Sequence, residues 1–359
     1  MLLIYKYMLK QFLNTLVFSL MVLCVIFVVV NLLENLDDFM DAKASFEVIL
    51  KYYVYFIPDI MKVLTPVAVL VSSLFTVGKM SNLNEITAMK TGGMSLYKIM
   101  FPFVVVCGLL SFGQVYFNGW LVPKANEAKY YIDRKYLDAK GTAPINNFYY
   151  RDAPNRNLVM MYYEPDNHTA SDVAIEYFAE SANPRLEKRI SAKTMRWDEK
   201  SAEWTLIDVI IRRFENSIVM NDRVDSLKLK LNVAGDEVQK MQKKPDQMTF
   251  AEYRDYLDFL QRGGKDITKL EVEYYANYAF PFANIIVIFF SIPFASVKKK
   301  NGIAVQIAAA MIVAFSYLIF TKVGQSLGTA MAFNPVLSGW LANIIFILVG
   351  LGILFRTKT

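Results

Sequence analysis

The chain has 359 residues, of which 55% are hydrophobic and 20% are charged, and its formal net charge is +6. This composition is too apolar for an ordinary soluble protein, yet the charged side chains have to lie in water. Apolar runs long enough to cross about 30 Å of hydrocarbon fall in two blocks, residues 12–121 and 274–354, on either side of a polar stretch. The sequence therefore predicts a membrane sector that is interrupted by one soluble domain.

Composition also argues against nucleic-acid binding and against cysteine chemistry. Basic and acidic side chains are equal in number in residues 124–271, so the positive excess lies in the membrane sector, where it sets topology or contacts anionic lipids. Cys24 and Cys107 both lie in apolar runs, which leaves the polar stretch without a disulfide or a Cys-based metal site. The single histidine, His168, is interpreted as a solvated turn residue, which argues against His-dependent catalysis.

Six helical spans are predicted, because a backbone in lipid has to satisfy its hydrogen bonds within the segment. Their bounds are residues 12–33, 53–77, 99–121, 274–297, 303–327 and 335–354. The first run is long for a cleaved signal peptide and lacks a small-residue cleavage site, which favours an uncleaved helix. Basic residues concentrate on the face shared with the N-terminus, so the positive-inside rule places both termini in the cytoplasm. Those residues are Lys6, Lys10, Lys79, Lys90, Lys98, Lys298, Lys299, Lys300, Arg356 and Lys358.

The polar stretch predicts an all-β domain over residues 124–248, between membrane sectors 1–123 and 273–359. Runs rich in β-branched and aromatic residues alternate with turn-like stretches, a pattern typical of a sandwich or a roll. The predicted strands are 158–163, 173–178, 189–197, 204–212 and 227–231. An amphipathic connector helix is predicted over 249–272, with Thr249 and Glu252 as a capping box and Gly263-Gly264 as a stop.

Charged residues inside the predicted spans are functional candidates, because a charge in hydrocarbon is costly unless it is paired or faces water. Asp59 and Lys62 lie one helical turn apart in the second span, where they could equally form a mutual pair at the outer interface. Lys322 lies near the outer end of the fifth span. Snorkelling to the interface explains Lys322, and so does binding of an anionic head group.

A short cytoplasmic helix is predicted at residues 82–92, between the second and third spans. Its sequence runs from Asn82 through Asn84-Glu85-Ile86-Thr87-Ala88-Met89-Lys90-Thr91 to Gly92-Gly93. Glu85 in the first turn favours the helix dipole whatever else it does.

This helix, together with Ile57-Pro58, Pro66 and Gly78-Lys79, closely resembles the lipopolysaccharide export permeases of the LptF/LptG (YjgP/YjgQ) family. Supporting similarity occurs in the domain and in the last three spans. The stretches are Ile190-Ser191-Ala192-Lys193, Trp197, Trp204-Thr205-Leu206, Pro281, Ile292-Pro293-Phe294, Pro335 and Trp340-Leu341-Ala342-Asn343. The resemblance therefore covers nearly the whole chain, in the order of the predicted topology.

The resemblance implies a six-span inner-membrane protein whose inserted periplasmic domain is β-jellyroll-like. It implies a transporter permease subunit, not an enzyme, that extracts lipopolysaccharide and passes it to a periplasmic bridge. The implied partners are a second LptF/LptG-like permease, a dimer of an LptB-like cytoplasmic ABC ATPase, and LptC/LptA-like bridge components. ATP and Mg²⁺ would be bound by the ATPase, and no cofactor is expected in this chain, which lacks a phosphate-binding loop.

The same resemblance implies where the partners bind. In the family the glutamate of the short cytoplasmic helix docks into the ATPase, and it corresponds here to Glu85, with Asn84, Met89 and Gly92 beside it. Some members carry lysines after the first span that meet lipid A phosphates, whereas this chain has acidic residues at 34–41. The expected phosphate-binding residues are therefore Lys322, Lys62, Lys129 and Arg134, unless the partner subunit supplies them.

Three other functions fit the sequence less well. Lipoprotein-release and macrolide-type permeases also work with an ATPase, but they usually have four spans, with the large domain after the first. A non-transport membrane scaffold is the alternative from a different class. A membrane-anchored enzyme is disfavoured, because the polar stretch lacks a constellation of histidine, cysteine or metal-ligating residues.

Overall fold

A computed structural model describes residues 2–137, 148–164, 167–180, 185–199, 201–215, 218–240, 243–296, 302–330 and 333–356. The chain forms two compact units, Met1–Leu137 with Thr268–Thr359, and Asp138–Ile267. The first is helical and the second contains a six-stranded sheet. An α-helical membrane protein with an inserted β-domain is therefore confirmed.

Six helical segments in the described residues are long and apolar enough to cross a membrane. They are Leu2–Asp41, Phe46–Asn82, Leu96–Leu137, Thr268–Ala295, Met311–Ala330 and Pro335–Arg356. Each overlaps a predicted span, and most extend beyond it, because the polar residues that flank an apolar run continue the helix past the length that hydrocarbon requires.

The helices are labelled in chain order. They are α1 (Leu2–Asp41), α2 (Phe46–Asn82), α3 (Glu85–Thr91), α4 (Leu96–Tyr116), α5 (Val122–Ile132), α6 (Gly235–Lys240), α7 (Phe250–Arg262), α8 (Thr268–Ala279), α9 (Ala283–Ala295), α10 (Gly302–Ala330) and α11 (Pro335–Arg356). A π-helical turn at Phe117–Leu121 joins α4 to α5. The third span thus continues through α5, whose charged residues led the sequence prediction to begin the soluble domain at residue 124.

Close packing holds the helical unit together, since lipid tails are as apolar as leucine and provide no hydrophobic driving force between helices. One buried cluster contains side chains from α1, α2, α3, α4 and α9. Within it the rings of Phe12 and Phe103 meet edge to face, with centroids 5.2 Å apart. Elsewhere Gly339 of α11 approaches α8 so closely that an added Cβ would lie 2.7 Å from the backbone nitrogen of Ala276.

The second unit contains one antiparallel sheet whose strands follow one another in chain order. The strands are β1 (Phe148–Ala153), β2 (Arg156–Glu164), β3 (Thr169–Phe178), β4 (Leu186–Asp198), β5 (Glu203–Glu215) and β6 (Ile218–Leu229). Strands β2 to β6 each overlap a predicted run. β1 was not predicted.

Buried and exposed residues alternate along four neighbouring strands, except at one row of the sheet, where the alternation shifts by one residue. In β2 the buried residues Leu158 and Met160 are followed by Tyr163, three positions on rather than two, and β3, β4 and β5 shift at the same level. Asp172 and Asp208 lie in this row with φ values of 52° and 58°, a left-handed conformation that aspartate tolerates better than most residues. Apolar side chains on both sides of the row thus share one face, as in a bent sheet. Of the sandwich and the roll, the described strands fit the roll.

Three buried side chains fasten the chain that follows β6 across the sheet. The Asp152 carboxylate accepts hydrogen bonds from the backbone N–H groups of Asn232 and Val233, at 2.6 and 3.2 Å, and pairs with Arg156. Trp204 donates its indole N–H to the Val233 carbonyl at 2.8 Å, and the Tyr163 hydroxyl donates to the Gly235 carbonyl at 2.9 Å. Backbone groups that leave the sheet ladder therefore obtain partners from side chains.

The predicted capping box is confirmed at the start of α7. Thr249 accepts from the Glu252 N–H at 3.3 Å, and Glu252 accepts from the Thr249 N–H at 2.8 Å. Instead of one connector over 249–272, the structure has two helices, because α7 ends at the Gly263-Gly264 pair and α8 begins the fourth span at Thr268. Gly264 has a φ of 73°, which a side chain would disfavour.

We predict that Asp152→Ala destabilises the second unit by about 3–5 kcal/mol, because it breaks a buried ion pair and removes the acceptor for two backbone N–H groups. Denaturant unfolding of the full chain, followed by tryptophan fluorescence, measures the loss. Asp222→Ala is the control, since the Arg213–Asp222 pair is about half exposed, and we expect a loss of about 0–1 kcal/mol there. Equal losses of stability in the two variants would mean that the buried contacts of Asp152 contribute no more than an exposed ion pair.

Candidate functional site

The short helix α3 presents one exposed face and packs its other face on the helical core. Ile86 is buried in the core cluster and Met89 packs against it. The exposed positions recur at helical spacing and are Asn84, Thr87, Ala88, Thr91 and Gly92. This periodicity is that of an amphipathic helix seated on a core. The exposed face of α3 is therefore available to a partner.

The backbone on both sides of α3 is tightly constrained. Asn84 has a φ of 62°, a conformation that asparagine adopts more easily than most residues. After the helix, Gly93 has a φ of 85°, and a Cβ on Gly92 would lie 3.2 Å from the Ala88 carbonyl oxygen. Both connections are short and specific, so α3 is held in one orientation relative to α2 and α4.

Glu85 makes a contact that links α3 to the first span. The Tyr7 hydroxyl of α1 donates to Glu85 Oε1 at 3.3 Å. The other carboxylate oxygen, Oε2, is buried and has no hydrogen-bond partner among the described residues. Oε1 is therefore the oxygen that lies at the surface, and a tyrosine fixes its position.

A second hydrogen bond joins the end of α2, which precedes α3, to the fourth span. Ser81, at the end of α2, donates to the carbonyl of Ser296 at 3.4 Å, and Ser296 directly follows α9. Together with the Ile86 packing, this contact means that α3 cannot move far without moving α2 and α9.

Two lysines line one small recess at the other predicted site. Lys322 of α10 and Lys269 of α8 border a cavity of about 120 Å³, together with Gln325 and Glu273. Lys322 Nζ donates to Gln325 Oε1 at 3.2 Å. Two ammonium groups beside amide and hydroxyl donors can hold an anion through charge-assisted hydrogen bonds, although Glu273 offsets part of the positive charge. The sequence did not indicate Lys269, because nothing local relates it to Lys322.

The remaining predicted basic residues are Lys62, Lys129 and Arg134. Asn126 of α5 donates to the Asp59 carboxylate of α2 at 3.5 Å. Lys129 of α5 places its ammonium 5.0 Å from the Phe56 ring centroid, within cation–π range. Lys62 is half-buried in α2, and Arg134 is half-buried in the π-helical turn that follows α5. The structure thus places Lys129 where α5 meets α2, while Lys322 belongs to another pair of helices.

Comparison with known proteins assigns this arrangement to a family. The family model described as "Lipopolysaccharide export system permease LptF/LptG" matches residues 6–356, which include both membrane sectors, α3 and the sheet. The chain belongs to the LptF/LptG family. The LptG export permease proteins of Haemophilus influenzae and of Escherichia coli strain K12 are each 18% identical to it, over 308 and 315 residues. The alignments cover 84% and 85% of this chain, and 84% of each relative.

In this LptF/LptG permease a buried polar network adjoins the predicted substrate residues. Pro66 has no N–H to donate to the carbonyl four residues earlier, that of Lys62. Gln114 of α4 donates to that carbonyl at 3.0 Å, and Asn284 of α9 donates to the Gln114 side-chain oxygen at 2.6 Å. Between α8 and α9, Ser111 of α4 donates to the Pro281 carbonyl at 2.9 Å.

Neither Tyr7 nor Gln114 of this LptF/LptG chain was predicted from the sequence. Tyr7 lies 78 positions from Glu85, and no local pattern relates the two. Gln114 could have been found, since a glutamine inside an apolar run needs a polar partner in lipid and two prolines in the preceding span free carbonyl groups.

We predict that Gln114→Leu destabilises this LptF/LptG permease by about 1–3 kcal/mol, because the change removes the donor to the Lys62 carbonyl and the acceptor for Asn284. Thermal unfolding of the detergent-solubilised protein tests this. Gln261→Leu on exposed α7 is the control, with an expected change within about 0.5 kcal/mol. A Tm no lower than that of the control would mean that the network does not stabilise the bundle.

Proposed function

We propose that this chain is a permease subunit of an ATP-driven exporter that extracts lipopolysaccharide from the bacterial inner membrane and passes it to a periplasmic bridge. Membership in the LptF/LptG family supports the substrate. The charge asymmetry of the loops supports cytoplasmic termini and a periplasmic large domain. Lys298, Lys299, Lys300 and Lys358, which contribute to that asymmetry, lie outside the described residues.

The observation that carries the proposal is α3. It exposes one face, packs the other on the core, and holds Glu85 by a hydrogen bond. A separate cytoplasmic ABC ATPase dimer, which would bind ATP and Mg²⁺, docks on this face. Because α3 is tied to α2 and α9, a movement of the ATPase is transmitted to the spans around the substrate.

The outer spans are suited to contact a second LptF/LptG-like permease and lipid. In the most apolar stretch of α1 only 11% is buried, and in that of α10 only 17%, compared with 67% in α2. Helices so little covered by their own chain need another apolar neighbour. A second permease that covers α1 and α10, with lipopolysaccharide between the two subunits, provides it.

The sheet supports transfer to bridge components. β6 pairs with β5 on one side, and among the described residues no strand pairs with its other edge. A free edge is a template for another strand. A bridge protein that adds a strand there would extend the bent sheet and its apolar face into a path for acyl chains.

We propose that the recess between α8 and α10 binds a lipid A phosphate. Lys322 and Lys269 supply the two ammonium groups, and Gln325 orients Lys322. Lys62, Lys129 and Arg134 form the alternative site, where Asn126 contacts the nearby Asp59.

We predict that Glu85→Ala lowers the amount of ATPase that co-purifies with the permease by about tenfold, since a charged group at an interface loses its partner. Quantified affinity purification of the complex measures it. Glu47→Ala is a matched control, because Glu47 also lies in the first turn of its helix and its loss changes the helix dipole to the same extent. An unchanged ATPase yield from Glu85→Ala would remove Glu85 from the interface.

We predict that Lys322→Glu reduces crosslinking of lipopolysaccharide to a photoreactive residue at exposed Val323 by about tenfold, because it reverses a charge that would bind phosphate. ATPase assembly should be retained. Lys269→Glu should resemble it, while Lys62→Glu should have a smaller or equal effect and the exposed Lys51→Glu none. If Lys322→Glu crosslinks like the parent, the phosphate site lies on the partner subunit or near Lys129 and Arg134.

A further inference from the structure

Tyr7 and Glu85 form a polar contact between two elements that otherwise meet through apolar packing. Tyr7 lies near the beginning of α1 and Glu85 begins α3, and their side chains are joined by the 3.3 Å hydrogen bond. Met8 and Phe12 of α1 are fully buried and make the packing contacts with the core. The tyrosine hydroxyl is thus not needed to anchor α1.

The position of Tyr7 argues against a purely structural role. Its side chain is 47% exposed, so loss of the hydroxyl leaves no buried polar group unsatisfied on α1. A phenol at a half-exposed position that contacts a carboxylate is well placed to orient it. Because Glu85 Oε2 is buried, the atom that Tyr7 orients is the one a docking protein can reach.

We propose that Tyr7 is a positioning residue for the ATPase-docking carboxylate. Its hydroxyl holds Glu85 Oε1 at the surface of α3, so that the carboxylate is ordered before the ATPase binds, and no side-chain entropy has to be lost at docking. This inference rests on the proposed docking role of Glu85 and adds α1 to the coupling machinery.

The contact also connects the least buried span with the docking site. Met8 and Phe12, which lie close to Tyr7 in α1, are buried in the same core cluster as Ile86 of α3. A displacement of the first turns of α1 would break the bond to Glu85 and disorder the carboxylate. The state of α1 is thereby communicated to the ATPase.

The test is the affinity of the purified ATPase for the full-length chain, assembled with its partner permease in nanodiscs. Tyr7→Phe, which removes only the hydroxyl, should weaken binding by about threefold to tenfold, which corresponds to the net contribution of one ordinary hydrogen bond. Tyr5→Phe is the control, because Tyr5 lies half a turn away and packs against the core, and its affinity should match the parent.

Rescue and a double-mutant cycle separate positioning from a structural defect. Tyr7→4-aminophenylalanine restores a donor at the same place and should recover most of the affinity. In a Glu85→Ala background Tyr7→Phe should have no further effect, since the two residues act as one unit.

Each other outcome overturns part of the argument. If Glu85→Ala weakens binding but Tyr7→Phe does not, docking through Glu85 stands and the positioning role falls. If Tyr7→Phe binds more tightly, the phenol restrains the carboxylate instead of presenting it, and the proposal is wrong. If Glu85→Ala binds normally, the docking role and the positioning role both fall.

Discussion

The need to satisfy every backbone polar group without water is the constraint on which the helical unit depends. Prolines inside its helices free carbonyl oxygens where lipid offers no donor. Gln114 donates to the Lys62 carbonyl, which Pro66 leaves free in α2, and Ser111 donates to the Pro281 carbonyl between α8 and α9. Both donors belong to α4, so the second and fourth spans are each hydrogen-bonded to the third.

These hydrogen bonds determine how a signal could travel. The hydrogen bond from Gln114 fixes α2 to α4 at the carbonyl that Pro66 leaves free, and α3 follows α2 after a short turn. Ser81 joins the end of α2 to Ser296, and Ile86 seats α3 on the shared core. The proposed docking face of α3 therefore belongs to a connected body that includes α1, α2, α4 and α9, and the Tyr7 hydroxyl adds a polar contact from α1 to Glu85.

The sheet unit also has to satisfy backbone polar groups that lie outside regular secondary structure, and it does so with side chains. The chain after β6 leaves the ladder, and its backbone groups are taken up by Asp152, Trp204 and Tyr163. A fully buried carboxylate is tolerated because Arg156 and two N–H groups surround it. Gly235 must lack a side chain here, since a Cβ would lie 2.6 Å from the Trp197 ring. The chain after β6 is thus held to the sheet, and no strand among the described residues pairs with the other edge of β6.

The sequence by itself determined the six spans, the inserted β-domain and the short helix with Glu85, because hydropathy, alternation and capping are local properties that the nearest neighbours in the chain express. It also identified the α7 capping box to the residue. Tertiary structure alone decided that α5 prolongs the third span, that Lys269 joins Lys322, and that Tyr7 meets Glu85. Each of these depends on a contact between distant parts of the chain, and such contacts follow from packing and polar satisfaction in three dimensions, for which a single sequence has no periodic signal.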